Sequence, residues 1–120
     1  ILKLIDNNFI LSAHDVSLGG IITAVSKMCI RGKKGVSLKK PNYLINKFEY
    51  LFSEDQGRYI IEIQKDNFKP VTEILEENSV HFDELGSVIN NDLIIDDKSK
   101  VSIDDLIKSH TIWLKDYMNK

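Results

Sequence analysis

Two short stretches stand out as candidates for chemistry. The first is Ala13-His14-Asp15-Val16-Ser17-Leu18-Gly19-Gly20, where a short apolar run gives way to a helical pattern. Glycines at the amino end of a helix let a ligand approach free backbone N–H groups, and the positive end of the helix dipole favours an anion there. The spacing is neither that of a Walker loop nor G-x-G-x-x-G. The same residues therefore also suit a tight strand-to-helix turn capped by Asp15 or Ser17. The second stretch is Ser53-Glu54-Asp55-Gln56-Gly57-Arg58. Two carboxylates and an amide on one loop can hold a metal or a polar ligand, with Gly57 permitting the backbone to turn. The competing reading is a solvated acidic loop in which Glu54 or Asp55 pairs with Arg58, an ion pair that contributes little at a surface.

The remaining reactive residue types do not converge. His14 falls in the first stretch, His81 precedes a strand pattern, and His110 lies on the apolar stripe of the last helix, so no metal-ligand spacing arises. His110 is expected as a partly buried packing residue. Cys29 sits on the apolar face of a helix with nothing nearby to stabilise a thiolate, which makes it a small core residue. Trp113 and Tyr117 read as core or interface aromatics.

The elements that must position these residues follow from periodicity. Residues 1–8 look like the end of a helix closed by Asp6-Asn7-Asn8, and Phe9 to Ala13 like a buried strand. Ile21, Val25, Met28 and Cys29 recur at helical spacing, with Ser17 as N-cap and Gly32 or Gly35 as terminator. Val36-Ser37-Leu38 is a short strand followed by a turn over 39–42. A second amphipathic helix is predicted over 43–52 and a central strand over 58–63. A third helix runs from Phe68, with Pro70 in its first turn, to about Asn78. Phe82 to Ile89 and Leu93 to Ile95, separated by Asn90-Asn91-Asp92, predict a β-hairpin or a strand with a return. Ser102 and Asp105 approximate a capping box for a last helix whose inner face is Ile103, Leu106, Ile107, His110, Leu114 and Tyr117. Alternating helices and strands with short connections favour an α+β (α/β layered) fold, a mixed, largely antiparallel sheet covered by helices.

Composition bounds the function. The 120 residues are 42% hydrophobic and 28% charged, the profile of one ordinary domain, and the single cysteine suits a reducing compartment. A net charge of −2 supplies no general attraction to nucleic acid or an anionic bilayer. No apolar run approaches the roughly 20 residues of a membrane span. Neither nucleic acid nor membrane is expected as a partner, and a cytoplasmic location is. The opening Ile1-Leu2-Lys3-Leu4-Ile5 lacks a methionine and lies within an apolar pattern, so residues 1–120 are expected to be a single domain cut from a longer multidomain protein.

Taken as a pair, Ser12-Ala13-His14-Asp15-Val16-Ser17-x-Gly19-Gly20 and Leu51-Phe52-Ser53-Glu54-Asp55-Gln56-Gly57-Arg58-Tyr59 resemble the C-terminal region of the phosphoribosylformylglycinamidine synthase family, the amidine-forming ligases of purine biosynthesis. The ending Ser109-His110-x-x-Trp113-Leu114-x-x-Tyr117-Met118 agrees. The resemblance implies an enzyme of two similar halves. Each is a half-barrel domain followed by an α/β domain related to the C-terminal domain of aminoimidazole ribonucleotide synthase, and this chain would be the last of these. It also implies use of ATP and magnesium to activate the amide oxygen of formylglycinamide ribonucleotide as a phosphate ester, which ammonia released from glutamine then displaces.

Residue by residue, the resemblance implies substrate contact at Glu54, Asp55 and Gln56, by analogy with a Glu-Ser-Gln triplet in the first-half domain. The middle Asp is typical of the second half, whose surface faces a pseudo-symmetric site. Asp15, Ser17, Gly19 and Gly20 would form a phosphate or pseudo-site loop, with Leu18 where the family usually has an acid. No catalytic residue or metal ligand is carried over, since those lie in other domains. ATP and magnesium are thus expected in the intact enzyme and not as tight ligands of this piece. The implied partners are the half-barrel domains and a glutaminase domain or subunit supplying ammonia.

Two rival readings remain beside it. One is another ATP-using relative, selenophosphate synthetase-like or hydrogenase-maturation-like, against which the Glu-Asp-Gln-Gly-Arg-Tyr loop argues. The other is a non-catalytic interaction module working through an exposed sheet face.

Overall fold

In the computed structural model, which describes residues 1–39, 41–42 and 46–119, the helical tail at the start is α1 (Leu2–Asp6). The strand after it, β1 (Ile10–Asp15), alternates half-buried Ile10, Ser12 and His14 with exposed Leu11, Ala13 and Asp15. Strict alternation is what a strand with one covered face requires. The strand runs further than its apolar core suggests, so His14 and Asp15 belong to it and not to the following loop. Its antiparallel partner is β3 (Tyr59–Ile63), with Ala13 opposite Ile61 and Asp15 opposite Tyr59. Among the described residues β3 pairs with β1 alone, so the expected central strand is half of a two-stranded ribbon.

The second sheet has the order β4-β2-β5-β6, formed by β2 (Gly35–Leu38), β4 (Gly86–Ile89), β5 (Asp92–Ile95) and β6 (Ser99–Ser102). Here the expected hairpin of 82–89 with 93–95 is corrected. β4 and β5 do not pair with each other; β2 lies between them, antiparallel to β4 and parallel to β5. Two glycines explain the choice. A side chain at Gly35 would run into the backbone of Asp92, and one at Gly86 into the carbonyl of Ser37. Each edge of β2 thus meets its neighbour at a distance only glycine allows. The hairpin in this region is β5–β6, turned by Asp96 and Asp97 at φ 50° and 54°. β6 was not anticipated, because Val101 is its only apolar residue.

The long helix α2 (Gly20–Gly32) joins the two sheets: its buried Ile21, Ala24, Val25 and Cys29 share one core with Val16 and Ile60 from the ribbon side and Leu38 and Leu93 from the larger sheet. Ser17 is not its N-cap. That position is Gly19, at φ 82° with no side-chain cap, while the Ser17 carbonyl accepts the Gly20 N–H at 3.0 Å. At the other end Gly32 stays helical and Lys33 takes the left-handed conformation. Helix α3 (Lys47–Phe52) is capped by the Asn46 side chain, which accepts the N–H of Phe48 at 3.0 Å and of Glu49 at 3.5 Å. Residues 43–45 of the predicted helix, and Lys40 of the predicted turn, lie outside the described residues. Helix α4 (Phe68–Glu77) matches its expected span; its Val71, with Leu4 of α1, is among the most deeply buried side chains, outside the main core. Lys3 Nζ ties these two helices by donating to Asn78 Oδ1 at 3.2 Å.

The last helix is capped as expected, Ser102 Oγ accepting the Asp105 N–H at 3.1 Å, but it breaks at Ile112 into α5 (Ile103–Thr111) and α6 (Trp113–Met118). Only Ile103, Leu106 and Ile107 of the predicted inner face are covered. From Lys108 to Asn119 exposure is unbroken, so His110 is not a packing residue and Trp113 and Tyr117 are not in the core. The stripe simply outruns α2, the helix α5 packs on. The architecture is the α+β one expected, with mixed, mostly antiparallel pairing. Among the described residues no helix is long and apolar enough to cross a membrane.

Candidate functional site

The fold brings the two motifs together at the amino end of α2. Gly20, at φ +71°, is where the end of α3 rests on that helix: a Cβ there would lie 2.6 Å from the Leu51 carbonyl oxygen and 2.8 Å from Phe52 Cα. No side chain fits, and the positive φ is itself costly for any other residue. Beside this contact the Gly19 N–H donates to Glu54 Oε1 at 2.8 Å, a bond between residues 35 apart in sequence. The Val16 N–H donates to the Arg58 carbonyl at 2.9 Å and carries the ribbon's pairing into the loop. Thr23 Oγ1 donates to the Gly19 carbonyl at 3.0 Å and braces the turn from the helix side.

Within the acidic loop the partners differ from one carboxylate to the next. Asp55 is the acid that pairs with Arg58, Oδ2 lying 3.6 Å from Nη2, and it also accepts the Ser53 hydroxyl at 2.9 Å. Arg58 Nη2 donates to the Ser53 carbonyl and, at 2.9 Å, to Ser53 Oγ. Glu54 instead reaches back to Gly19. Gly57, at φ 79°, turns the chain into β3.

Together the motifs line an open cleft of about 360 Å³ whose walls include Asp15, Ser17, Leu18, Glu54, Gln56 and Tyr59. That volume is within the range of small-molecule sites, but the cleft is not enclosed. A void of about 10 Å³ between Ile21, Leu38 and Leu51 has room for at most one water. Among the described residues no three His, Cys, Asp or Glu side chains converge as metal ligands. The oxygens of Glu54 and Asp55 that make these bonds point to internal donors. No step is assigned to a magnesium ion here. Burial pushes the Cys29 thiol up from its ordinary value, with Glu62 adding to the effect, so it stays protonated and inert at neutral pH.

The sequence nominated Asp15, Ser17, Gly19 and Gly20 in one group and Glu54, Asp55 and Gln56 in another; the structure makes them one surface. What residue types alone did not reveal is the Glu54 to Gly19 bond and the seat of α3 on Gly20. The paired glycines were the available signal.

The family model described as "AIR synthase related protein, C-terminal domain" matches residues 1–98. The chain belongs to that family. As a curated relative of this AIR synthase related domain, the phosphoribosylformylglycinamidine synthase subunit PurL of Pelagibacter ubique is 76% identical over 118 residues, covering 98% of this chain and 16% of that protein. The subunit of the same name from Bartonella quintana is 35% identical over 117 residues, again 98% of this chain and 16% of the relative. The domain thus spans about a sixth of the length of these relatives. Thermotoga maritima PurL complexed with FGAR superposes with a TM-score of 0.76 at 20% identity, over 88% of this chain and 19% of that one. The PurLQS structure from the same organism gives 0.77 at 20% identity, over 88% and 20%. At that identity the likeness establishes the fold. β6, α5 and α6 lie beyond the span of the family model.

Proposed function

We infer that the chain is the C-terminal domain of the ATP-dependent ligase converting formylglycinamide ribonucleotide and glutamine-derived ammonia to formylglycinamidine ribonucleotide in de novo purine biosynthesis. The observation that carries this reading is 76% identity to a PurL subunit across nearly the whole chain. Identity of that extent across 98% of the chain sets aside the rival ATP-using relatives. The open cleft supports a particular role for the domain: it supplies one wall of a nucleotide site that other domains close. On that wall Asp15, Ser17 and Gln56 face outward, and Gly19, Gly20, Glu54 and Asp55 hold its shape.

ATP, when bound to the intact enzyme, supplies the phosphoryl group that turns the amide oxygen into a leaving group. T. maritima PurL has been solved with ATP, AMPPCP and ADP, which supports nucleotide binding in the whole protein. Magnesium accompanies the nucleotide in other domains of the enzyme. The half-barrel domains of the same protein and a glutaminase domain or subunit are its partners, in the cytoplasm. The test is an assay of the intact protein for ATP-dependent formation of formylglycinamidine ribonucleotide from formylglycinamide ribonucleotide and ammonia. Product is expected; a folded, intact protein that forms none overturns the reading.

A further inference from the structure

The apolar stripe that begins on α5 continues past every partner it has in the domain. From Lys108 to Asn119 each residue is exposed, and within α6 Trp113, Leu114, Tyr117 and Met118 are each more than half exposed. At about 100° per residue these four share an arc of roughly 140°, the width of a face that packs, while Lys115, Asp116 and Asn119 take the other side. The Thr111 hydroxyl donates to the Ile107 carbonyl at 2.7 Å, a kind of bond that bends helices, and the break at Ile112 follows it. α6 is thus a separate helix of six residues with no side-chain cap. So short a helix gains little from its own hydrogen bonds, and packing must supply what holds it.

The extent of the match and the size of the face say what covers it. The match to P. ubique PurL runs over 118 residues, past residue 98 where the family model stops, and so includes α6 in a protein of which this chain covers 16%. Most of such a protein lies outside residues 1–120. Four side chains of roughly 200 Å² each, at these exposures, present on the order of 500 Å², short of the ~800 Å² per partner that a stable complex of separate molecules buries. Interfaces between domains of one chain are smaller, about 600 to 1,500 Å² over both sides, and the covalent link supplies the effective concentration that separate molecules lack. We propose that the face formed by Trp113, Leu114, Tyr117 and Met118 docks in an apolar groove on another domain of the same polypeptide and latches this domain to it. The latch rests on the reading of the chain as one domain of a PurL protein. A second copy of the protein is the rival occupant, against which the area argues.

The test uses the intact protein with a photo-crosslinking phenylalanine analogue in place of Tyr117. Isotopically light and heavy copies are mixed, so that mass spectrometry separates links within a chain from links between chains. Links from position 117 to apolar residues outside 1–120 of the same chain are expected. Links between light and heavy copies, or none beyond residues 1–120, overturn the proposal. Hydrogen–deuterium exchange of the peptide 108–119 reads the same contact without the label. In the intact protein it should quicken at least about tenfold when Trp113→Ala and Tyr117→Ala are combined, and stay within about twofold in Lys115→Ala, which alters only the polar side. Equal exchange in the wild type and the double variant, or an equal rise in Lys115→Ala, overturns the proposal, because the apolar face then meets nothing. Should the double variant not fold, the cross-link decides alone. Neither readout needs turnover, so an inactive protein with the expected link contradicts the functional reading and leaves the latch standing.

Discussion

The loop pair at the amino end of α2 and the helix pair at the end of the chain are both exposed, yet they are held in different ways. In the loop pair every acidic side chain of 54–55 has an internal partner, and the backbone of Leu51-Phe52 sits on Gly20 too closely for any side chain. In α6, by contrast, Trp113 is 61% exposed, Tyr117 68% and Met118 73%, and no side chain caps the helix. The first region carries its geometry within this chain. The second carries apolar area that nothing among the described residues covers, so its worth must be read in something other than the stability of the domain.

Substitutions can break or sharpen that contrast. The largest effect is expected from Gly20→Val, which forces a branched side chain into the backbone of α3 at a positive φ. It should lower the unfolding free energy of the chain by about 4 kcal/mol in urea denaturation. A cost near zero would mean that α3 does not rest on α2 and that the two motifs are not one surface. Ser102→Ala removes the Asp105 N–H acceptor from the start of α5 and should cost about 1 kcal/mol by the same measurement. The smallest effect is expected at Trp113→Ala, within about 0.5 kcal/mol, because a side chain that buries little loses little. A cost of several kcal/mol there would show that α6 is packed in solution and that the contrast between the two regions is false.

Much of the fold was legible because its determinants are local. The apolar face of α2, the Pro70 start of α4 and the Ser102 cap of α5 each depend on residues within a few positions of one another. What was not legible depends on distant pairs. The placement of β2 between β4 and β5 is decided by Gly35 against Asp92 and Gly86 against Ser37, contacts that no window of sequence displays. Ser17 was a sound N-cap by type, but the chain needed Gly19 at φ 82° to bring α3 onto Gly20, and the helix start moved with it. His110, Leu114 and Tyr117 continue the stripe of α5 faithfully and still lie in solvent, because a periodic face states what could be buried and not how far its partner extends. The candidate site divides the same way. Both motifs stand out by residue type, whereas the different duties of Glu54, Asp55 and Gln56 appear only when the loops meet.

The central claim is that this domain supplies one wall of a nucleotide site and cannot close it alone. Isothermal titration of the 120-residue chain with ATP and with formylglycinamide ribonucleotide tests it most directly. The open cleft predicts no tight binding of either; a submicromolar dissociation constant for one of them would contradict the claim by showing that the wall is already a complete site.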